Sequence, residues 1–191
     1  LLAKAHRALG EDGATMVLTG ILPTLRKSDL GLESMVPLPR YKALNEAMTR
    51  MRGGEYEFFI KGVDELRVRH DSVMVESCNS SFQVHLQVGA RRFAALYNLA
   101  QALSGPVLAC ATNSPLLFGR RLWAETRIAL FQQAVDTRRN VADRTSAPRV
   151  TFGDRWVRST VLELYKDDIT RFRTLVGTEL AVQILSAPSV D

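Results

Sequence analysis

The sequence predicts an α+β protein in which helices back an antiparallel sheet with one polar cleft face. Two observations predict this class. Helical patterns follow pairs of strand-like segments instead of alternating with single strands, and residues 81–88 alternate strictly between apolar and polar side chains. Apolar residues make up 46% of the 191 residues and charged residues 24%, which is typical of a globular chain with a core.

Apolar spacing and the positions of glycine and proline define the expected elements. The predicted helices are 1–10, 41–52, 91–104, 122–137 and a last one that follows Ser159 or Thr160 and ends at 176. The predicted strands are 15–22, 56–60, 72–76, 81–88 and 150–152. Pro106 suits the first position of a further segment, and residues 107–112, which have almost no polar side chain, are expected to be buried.

We expect a single domain over residues 1–191 that is an internal fragment of a longer protein. The chain starts Leu1-Leu2-Ala3-Lys4, without an initiator Met or the order of regions that makes a signal peptide, and reads as the middle of a helix. No apolar run approaches the roughly 20 residues that cross a bilayer, so we expect no membrane partner and a cytoplasmic location.

Charge and cysteine content narrow the function classes. The net charge is +5, and 20 of the 25 basic residues are Arg, which fits anion binding and arginine-rich codon usage equally well. Because the basic residues form no block, the composition does not favour a nucleic-acid partner. Cys78 and Cys110 lie in apolar surroundings and are expected to be buried, reduced thiols, too few for a disulfide framework or a zinc site.

The segment 81–88 is the first candidate site. Phe82, Val84, Leu86 and Val88 share one face of the predicted strand, and Ser81, Gln83, His85 and Gln87 share the other. The apolar face is expected to pack on helices, and the polar face is either a cleft floor that orients a ligand or metal, or a solvated sheet face. Glu76 joins the polar face if Asn79-Ser80 makes a tight hairpin turn, and otherwise points elsewhere.

The segment 113–127 is the second candidate site. It combines Asn113-Ser114-Pro115 with Gly119-Arg120-Arg121 and with Glu125-Thr126-Arg127. Three arginines within eight positions suit a clamp for phosphate or carboxylate, because guanidinium groups bind both in a bidentate way. The alternative is a loop before a helix with surface arginines.

These residues resemble the bacterial and plant-type glutamate–cysteine ligase family, whose catalytic domain is of the glutamine-synthetase type. The resemblance covers roughly residues 15–175 and depends on the order and spacing of segments 20–26, 37–41, 76–88, 111–115 and 123–126. It implies an ATP- and Mg²⁺-dependent carboxylate–amine ligase. Such an enzyme joins the γ-carboxylate of glutamate, or a related acid, through an acyl phosphate to an amine such as cysteine, as in glutathione biosynthesis.

The resemblance also implies roles for residues of both segments. The catalytic candidates are Gln83, His85 and Arg127; the ATP- and substrate-binding candidates are Arg120, Arg121, Asn113 and Ser114; and the metal candidates are Glu76 and Glu125. The implied partners are small molecules, namely ATP, an amino acid and an amine, and the resemblance is compatible with a homo-oligomer.

One departure from the family supports a second hypothesis. The family opens with a strand of closely spaced glutamates that supplies much of its metal site, and here Glu55-Tyr56-Glu57 has that spacing in the wrong place. The chain is therefore expected to lack that strand. The alternative function is a non-catalytic, ligase-like module that binds a ligand or a partner.

Overall fold

The computed structural model describes residues 2–10, 13–136, 138 and 149–172. Within these ranges the chain is a mixture of helices and two small antiparallel sheets, so the predicted α+β class is confirmed. The elements are α1 (Leu2–Gly10), α2 (Pro39–Arg52), β1 (Tyr56–Lys61), β2 (Glu65–His70), α3 (Met74–Ser77), α4 (Phe93–Cys110), β3 (Leu116–Leu117), β4 (Arg120–Arg121), α5 (Thr126–Ala134) and α6 (Leu162–Arg171).

The hairpin β1–β2 supplies the inner wall of the core. Its register pairs Phe58 with Val68 and Ile60 with Leu66, and Phe58 and Ile60 are each only 1% exposed. Because side chains alternate along a strand, Phe59 lies on the opposite, solvent face, where 42% of it is exposed. The predicted strand 56–60 is confirmed, and the sequence analysis missed β2.

Helix α5 packs beside β1 and contributes Ala129, Leu130 and Ala134 to the core. The Gln133 side chain also bonds the backbone of Phe59 in both directions, since Oε1 accepts from the Phe59 N–H at 2.8 Å and Nε2 donates to its carbonyl at 2.9 Å. These bonds satisfy backbone groups on the edge of β1 that a third strand would otherwise bond. The helix is shorter than the predicted 122–137.

Helices α2 and α3 cover the rest of this core. The predicted helix 41–52 is confirmed as part of α2, which ends at Gly53 in the left-handed conformation with φ of 77°. The predicted strand 72–76 is wrong, because Met74 and Val75 lie in the single turn α3 and are both buried. A strand would turn these neighbouring apolar side chains to opposite faces, whereas a helical turn buries both.

The predicted strand 81–88 is also wrong. Within the described chain, residues 79–89 pair with no other strand, and Phe82, Val84 and Leu86 are 90%, 71% and 75% exposed. Alternation favours an extended backbone, but a strand forms only when a second strand supplies the ladder of hydrogen bonds. The predicted strands 15–22 and 150–152 form no ladder for the same reason.

Helix α4 runs through Pro106 without a break, so the predicted helix end at Gly105-Pro106 is wrong. None of its residues is buried, contrary to the expectation for 107–112, and Val107 is 63% exposed. Its Asn98 side chain fixes it to the segment before α6, since the Asn98 amide donates to the Val157 carbonyl at 2.8 Å and accepts from the Val157 N–H at 3.0 Å.

The segment Ala90–Cys110, which includes α4, corrects the expectation that no apolar run reaches membrane length. It is long and apolar enough to cross a bilayer by length and composition only, and the described residues bury none of it. Length and composition alone do not separate a spanning helix from one that packs on another apolar surface.

The cysteines also differ from expectation, since Cys78 is half-buried and Cys110 is exposed.

The start of α6 is held by the Glu163 carboxylate, whereas the prediction placed the cap at Ser159 or Thr160; the cap position is Val161, whose side chain forms no cap bond. The backbone N–H groups of Ser159, Arg158 and Thr160 donate to it at 2.7, 3.2 and 3.2 Å, and Thr160 Oγ1 accepts from the Leu162 N–H at 3.2 Å. This arrangement resembles a capping box, in which side chains satisfy N–H groups at a helix start. The part of the predicted helix from 173 to 176 lies outside the described residues.

The hydrogen bonds at the start of α6 predict that the Glu163 carboxylate stays ionised at low pH. The N–H groups of Ser159, Arg158 and Thr160, in that order of effect, lower the pKa of Glu163 from 4.5 to about 2. A group whose pKa is lowered by folding stabilises the fold above its unfolded pKa and loses that effect as the pH falls through the folded value. We therefore expect an NMR titration of the Glu163 carboxyl carbon to show a midpoint near pH 2. A midpoint near 4.5 would contradict the cap, and Ser159→Pro, which removes both the N–H and the hydroxyl donor of Ser159, should raise the midpoint.

The two faces of β1 predict that a Phe→Ala substitution lowers the free energy of unfolding by different amounts on each face. Phe58→Ala should lower the free energy of unfolding by about 3–5 kcal/mol, because it leaves a cavity in the core. Phe59→Ala is the matched control on the solvent face, where the ring contacts Arg67 at 5.0 Å, and should cost about 1 kcal/mol or less. Urea unfolding of both variants at constant m-value measures the difference. Equal costs would mean that the faces are assigned wrongly.

Candidate active site

A buried polar network joins the loop at 113–114 to the beginning of α5. Ser114, Glu125 and Thr126 are 1%, 5% and 0% exposed. Ser114 and Glu125 form a parallel bridge, and the Thr126 N–H donates to the Ser114 carbonyl at 3.1 Å. The two halves of the predicted segment 113–127 therefore run side by side, which their separation in sequence did not reveal.

The Glu125 carboxylate is the centre of this network. Its Oε1 accepts from the Ser114 hydroxyl and from Arg127 Nε at 2.6 Å, and its Oε2 accepts from Arg127 Nη2 at 2.9 Å and from the Asn113 N–H at 3.3 Å. The hydrogen bond from Arg127 is the largest cause that lowers the pKa of Glu125, and burial opposes it. Glu125 is therefore an anion at neutral pH, paired with the Arg127 cation.

Arg127 extends the network to two further groups. Its Nη2 donates to Asn113 Oδ1 at 2.9 Å, and its Nη1 donates to the backbone carbonyl of Ser80. Of the predicted site residues, the structure thus brings together Asn113, Ser114, Glu125 and Arg127. The sequence analysis missed Ser80, whose contribution is a backbone oxygen and leaves no signal in residue type.

The arginines of β4 lie on an exposed turn. Leu117 pairs with Arg120 across a two-residue loop in which Phe118 and Gly119 both have positive φ, of 50° and 74°. Two positive φ angles in succession are the requirement of a type I′ hairpin turn, and Gly119 adopts one at no steric cost. The Arg120 and Arg121 side chains are exposed, so both are accessible to an anion.

The turn between β1 and β2 fixes the backbone of β4. The Arg121 N–H donates to Asp64 Oδ2 at 2.7 Å, and the Asp64 N–H donates to the Arg121 carbonyl at 2.7 Å. A Cβ on Gly62 would lie 2.5 Å from the carbonyl carbon of Leu122, so only glycine permits this approach. The Trp123 indole donates to the Lys61 carbonyl at 2.9 Å. The sequence analysis missed Gly62 and Asp64, although a Gly-x-Asp turn between strand-like segments was a readable signal.

Gln83 and His85 lie on the exposed segment 80–88. His85 Nε2 is 3.1 Å from Gln83 Oε1, so its N–H donates to that oxygen. Both side chains are accessible, as a cleft-floor role requires. They do not lie on a sheet face, however, because the segment forms no strand.

Glu76 lies in α3, and residues 76–83 form no hairpin, so the first of the two alternatives for Glu76 is wrong. Glu76 is half-buried, and burial raises its pKa. Burial and then the Glu76 charge raise the pKa of Cys78 to about 12, so this thiol is not a nucleophile at neutral pH.

The two predicted metal ligands, Glu76 and Glu125, do not form a site for Mg²⁺. Both oxygens of Glu125 are engaged by donors, Glu76 lies half-buried in α3, and the two carboxylates do not meet at a shared site. Across residues 2–10, 13–136, 138 and 149–172, no group of three or more His, Cys, Asp or Glu side chains is placed to hold a metal ion. Phosphate is a better fit, since Arg120 and Arg121 offer exposed guanidinium groups.

Comparison with known proteins identifies the class of protein. Glutamate-cysteine ligase family 2 (GCS2) matches this chain over residues 1–161, which includes both candidate site segments. The chain belongs to this family of ligase-type enzymes, as the sequence resemblance indicated. Neither the curated proteins nor the solved structures gave a match.

The buried pair predicts a large stability cost for removing one partner. Arg127→Met should lower the free energy of unfolding by about 3–5 kcal/mol at pH 7, because it leaves the Glu125 charge buried without its cation. Arg67→Met is the matched control, since Arg67 lies 4.0 Å from Glu57 on the exposed sheet face, and should cost about 1 kcal/mol or less. Urea unfolding measures both values.

The pH dependence tests the same pair. Because folding lowers the pKa of Glu125, its ionisation stabilises the fold above the unfolded value of 4.5, and this effect is lost as the pH falls through the folded value. The cost of Arg127→Met should therefore shrink as the pH falls from 7 through the folded pKa of Glu125. In the variant, burial without Arg127 favours the protonated carboxyl, and the wild type loses the stabilisation from its ionised pair. A cost that stays constant over that range would contradict the assignment of charge.

Proposed function

We propose that the protein is an ATP-dependent carboxylate–amine ligase that joins the γ-carboxylate of glutamate, or a related acid, to an amine such as cysteine. The observation that carries the proposal is the family match over residues 1–161, which spans every predicted site residue. In such a reaction the carboxylate attacks the γ-phosphate of ATP and releases ADP; the amine then displaces phosphate and forms the amide.

The exposed arginines support phosphate or carboxylate binding. Arg120 and Arg121 lie beside a turn, and Asp64 bonds the backbone N–H and carbonyl of Arg121, so the backbone from which these side chains extend is fixed. Neighbouring residues of a strand point to opposite faces, so one arginine is available to each side of the turn. Pre-positioned cations stabilise the charge of a transferring phosphoryl group without reorganising.

The polar side chains of segment 80–88 support a second ligand-binding part of the proposed site, formed by Gln83 and His85. Gln83 and His85 are exposed and bonded to each other, so an incoming ligand replaces a weak mutual contact and water instead of core packing. An amide and a neutral imidazole donate hydrogen bonds to phosphate or to a substrate carboxylate. Because Glu76 and Glu125 form no site for Mg²⁺, no step of the proposed reaction is assigned to it.

The proposed partners are small molecules, and the proposed location is cytoplasmic. A specific observation also favours the second candidate, a ligand-binding module without turnover: the carboxylate of Glu125, predicted to bind metal, is neutralised by Arg127. The module and the enzyme differ in one measurable respect, which is ADP release in the presence of both substrates.

Turnover by the full chain tests the proposal. ADP release is measured with ATP, Mg²⁺ and mixtures of amino acids and amines, with glutamate and cysteine as the first pair. His85→Ala and Gln83→Leu should each lower kcat/KM by about a hundredfold or more, because each removes a positioned donor. Both side chains are exposed, so the unfolding midpoint should not change.

His6→Ala is the matched control, since His6 is exposed on α1 and outside the candidate site. It should retain full turnover. Normal turnover of the His85 and Gln83 variants would contradict the site assignment. Calorimetric binding of ATP without ADP release for any pair of substrates would favour the binding module.

A further inference from the structure

The guanidinium of Arg127 is almost fully used inside the protein. An arginine side chain has five N–H donors. Four hydrogen bonds are formed: Nε and Nη2 to the two oxygens of Glu125, Nη2 to Asn113 Oδ1, and Nη1 to the Ser80 carbonyl. A group that clamps phosphate presents two parallel N–H donors to the ligand, and Arg127 has no such pair left.

The same side chain connects three separate parts of the chain. Glu125 precedes α5, Asn113 follows α4, and Ser80 precedes the segment that carries Gln83 and His85. A lysine in this place has one ammonium with clustered donors and does not span three acceptors in different directions. The planar, forked shape of arginine is what this position uses.

Gly20 holds Ser80 from the other side. The Ser80 N–H donates to the Gly20 carbonyl at 2.8 Å, and the Gly20 N–H donates to the Asn113 carbonyl at 3.0 Å. A Cβ on Gly20 would lie 2.5 Å from Arg127 Nε and 2.7 Å from Asn113 Oδ1. The backbone of Gly20 is therefore in close contact with the guanidinium, and no side chain fits between them.

Beyond Ser80, the described chain gives the segment no further backbone support until Gly89. Residues 81–88 form no backbone hydrogen bond with the rest of the described residues, whereas the Gly89 carbonyl accepts from the Arg92 N–H at 2.9 Å. The position of Gln83, three residues after Ser80, thus depends on how firmly Ser80 is held.

We propose that Arg127 is a positioning residue. Arg127 binds the Ser80 carbonyl and Gly20 binds the Ser80 N–H, and this pair of contacts, called the clasp below, places Gln83 and His85 relative to the arginines of β4. The clasp is a property of the fold, and its catalytic consequence rests on the proposed function. Arg127 then acts on the reaction through segment 80–88 and not by contact with ATP or substrate.

Hydrogen exchange of the full chain tests the clasp without any activity. In Arg127→Lys, which keeps the charge beside Glu125, we expect the Ser80 amide, whose N–H donates to the Gly20 carbonyl, to exchange about tenfold faster, because the hydrogen bond from the charged donor to the Ser80 carbonyl is lost. The amides of β1 and β2 should keep their wild-type rates. Gly20→Ala should give the same local increase, since its Cβ displaces the guanidinium.

Arg67→Lys, on the exposed face of β2, is the matched control and should leave both sets of rates unchanged. Unchanged exchange of the Ser80 amide in both clasp variants would overturn the inference. An equal increase over the whole chain would also overturn it, since that result shows only a loss of global stability.

A double-mutant cycle measured by turnover tests whether Arg127 acts on the reaction through segment 80–88 or by direct contact with the reactants. Arg127→Lys should lower kcat in the wild type but have little further effect in a background that combines His85→Ala and Gln83→Leu, since Arg127 acts through these two side chains. Additive losses would show that Arg127 contacts the reactants directly and would overturn its positioning role. If the wild type has no ligase turnover, the proposed function fails, while the exchange result still decides the clasp.

Discussion

The burial of one carboxylate governs the arrangement of the site. Glu125 is 5% exposed, and an ionised carboxylate in such a place is very costly unless it is paired and hydrogen-bonded. Arg127, Ser114 and the Asn113 N–H meet that requirement with four donors. Because these donors come from two distant parts of the chain, satisfying the charge also brings the loop before β3 against the start of α5.

Because the buried Glu125 charge must be paired and hydrogen-bonded, the residues that build the site are not the residues that a ligand can reach. The side chains of Glu125 and Ser114 form hydrogen bonds within the network. They therefore hold other groups in place and are poor ligands for a cation or a phosphate. Arg120, Arg121 and His85 are exposed, and Asp64 in the β1–β2 turn fixes the backbone of Arg121. A buried, charged frame with exposed functional groups suits transfer chemistry that depends on positioning.

Two of the apolar segments that are exposed in the described chain account for the wrong predictions at 81–88 and 107–112. Phe82, Val84 and Leu86 alternate as a buried strand face does, and α4 has the apolar composition of a core helix. Periodicity reports how a segment would bury its apolar side, but not whether a partner lies beside it. The hairpin β1–β2 differs because its partner follows after three residues, at Gly62–Asp64, so local sequence was sufficient to form it.

The sequence by itself determined the α+β class, helix α2, strand β1, the family and the chemical character of both candidate segments, because these depend on local spacing and residue type. Tertiary structure alone decided that Glu125 pairs with Arg127 and that Arg127 reaches the Ser80 carbonyl. Residue type reveals a donor or an acceptor but not its partner. Partners are chosen where the folded chain removes water, and a backbone oxygen such as that of Ser80 is identical in every residue.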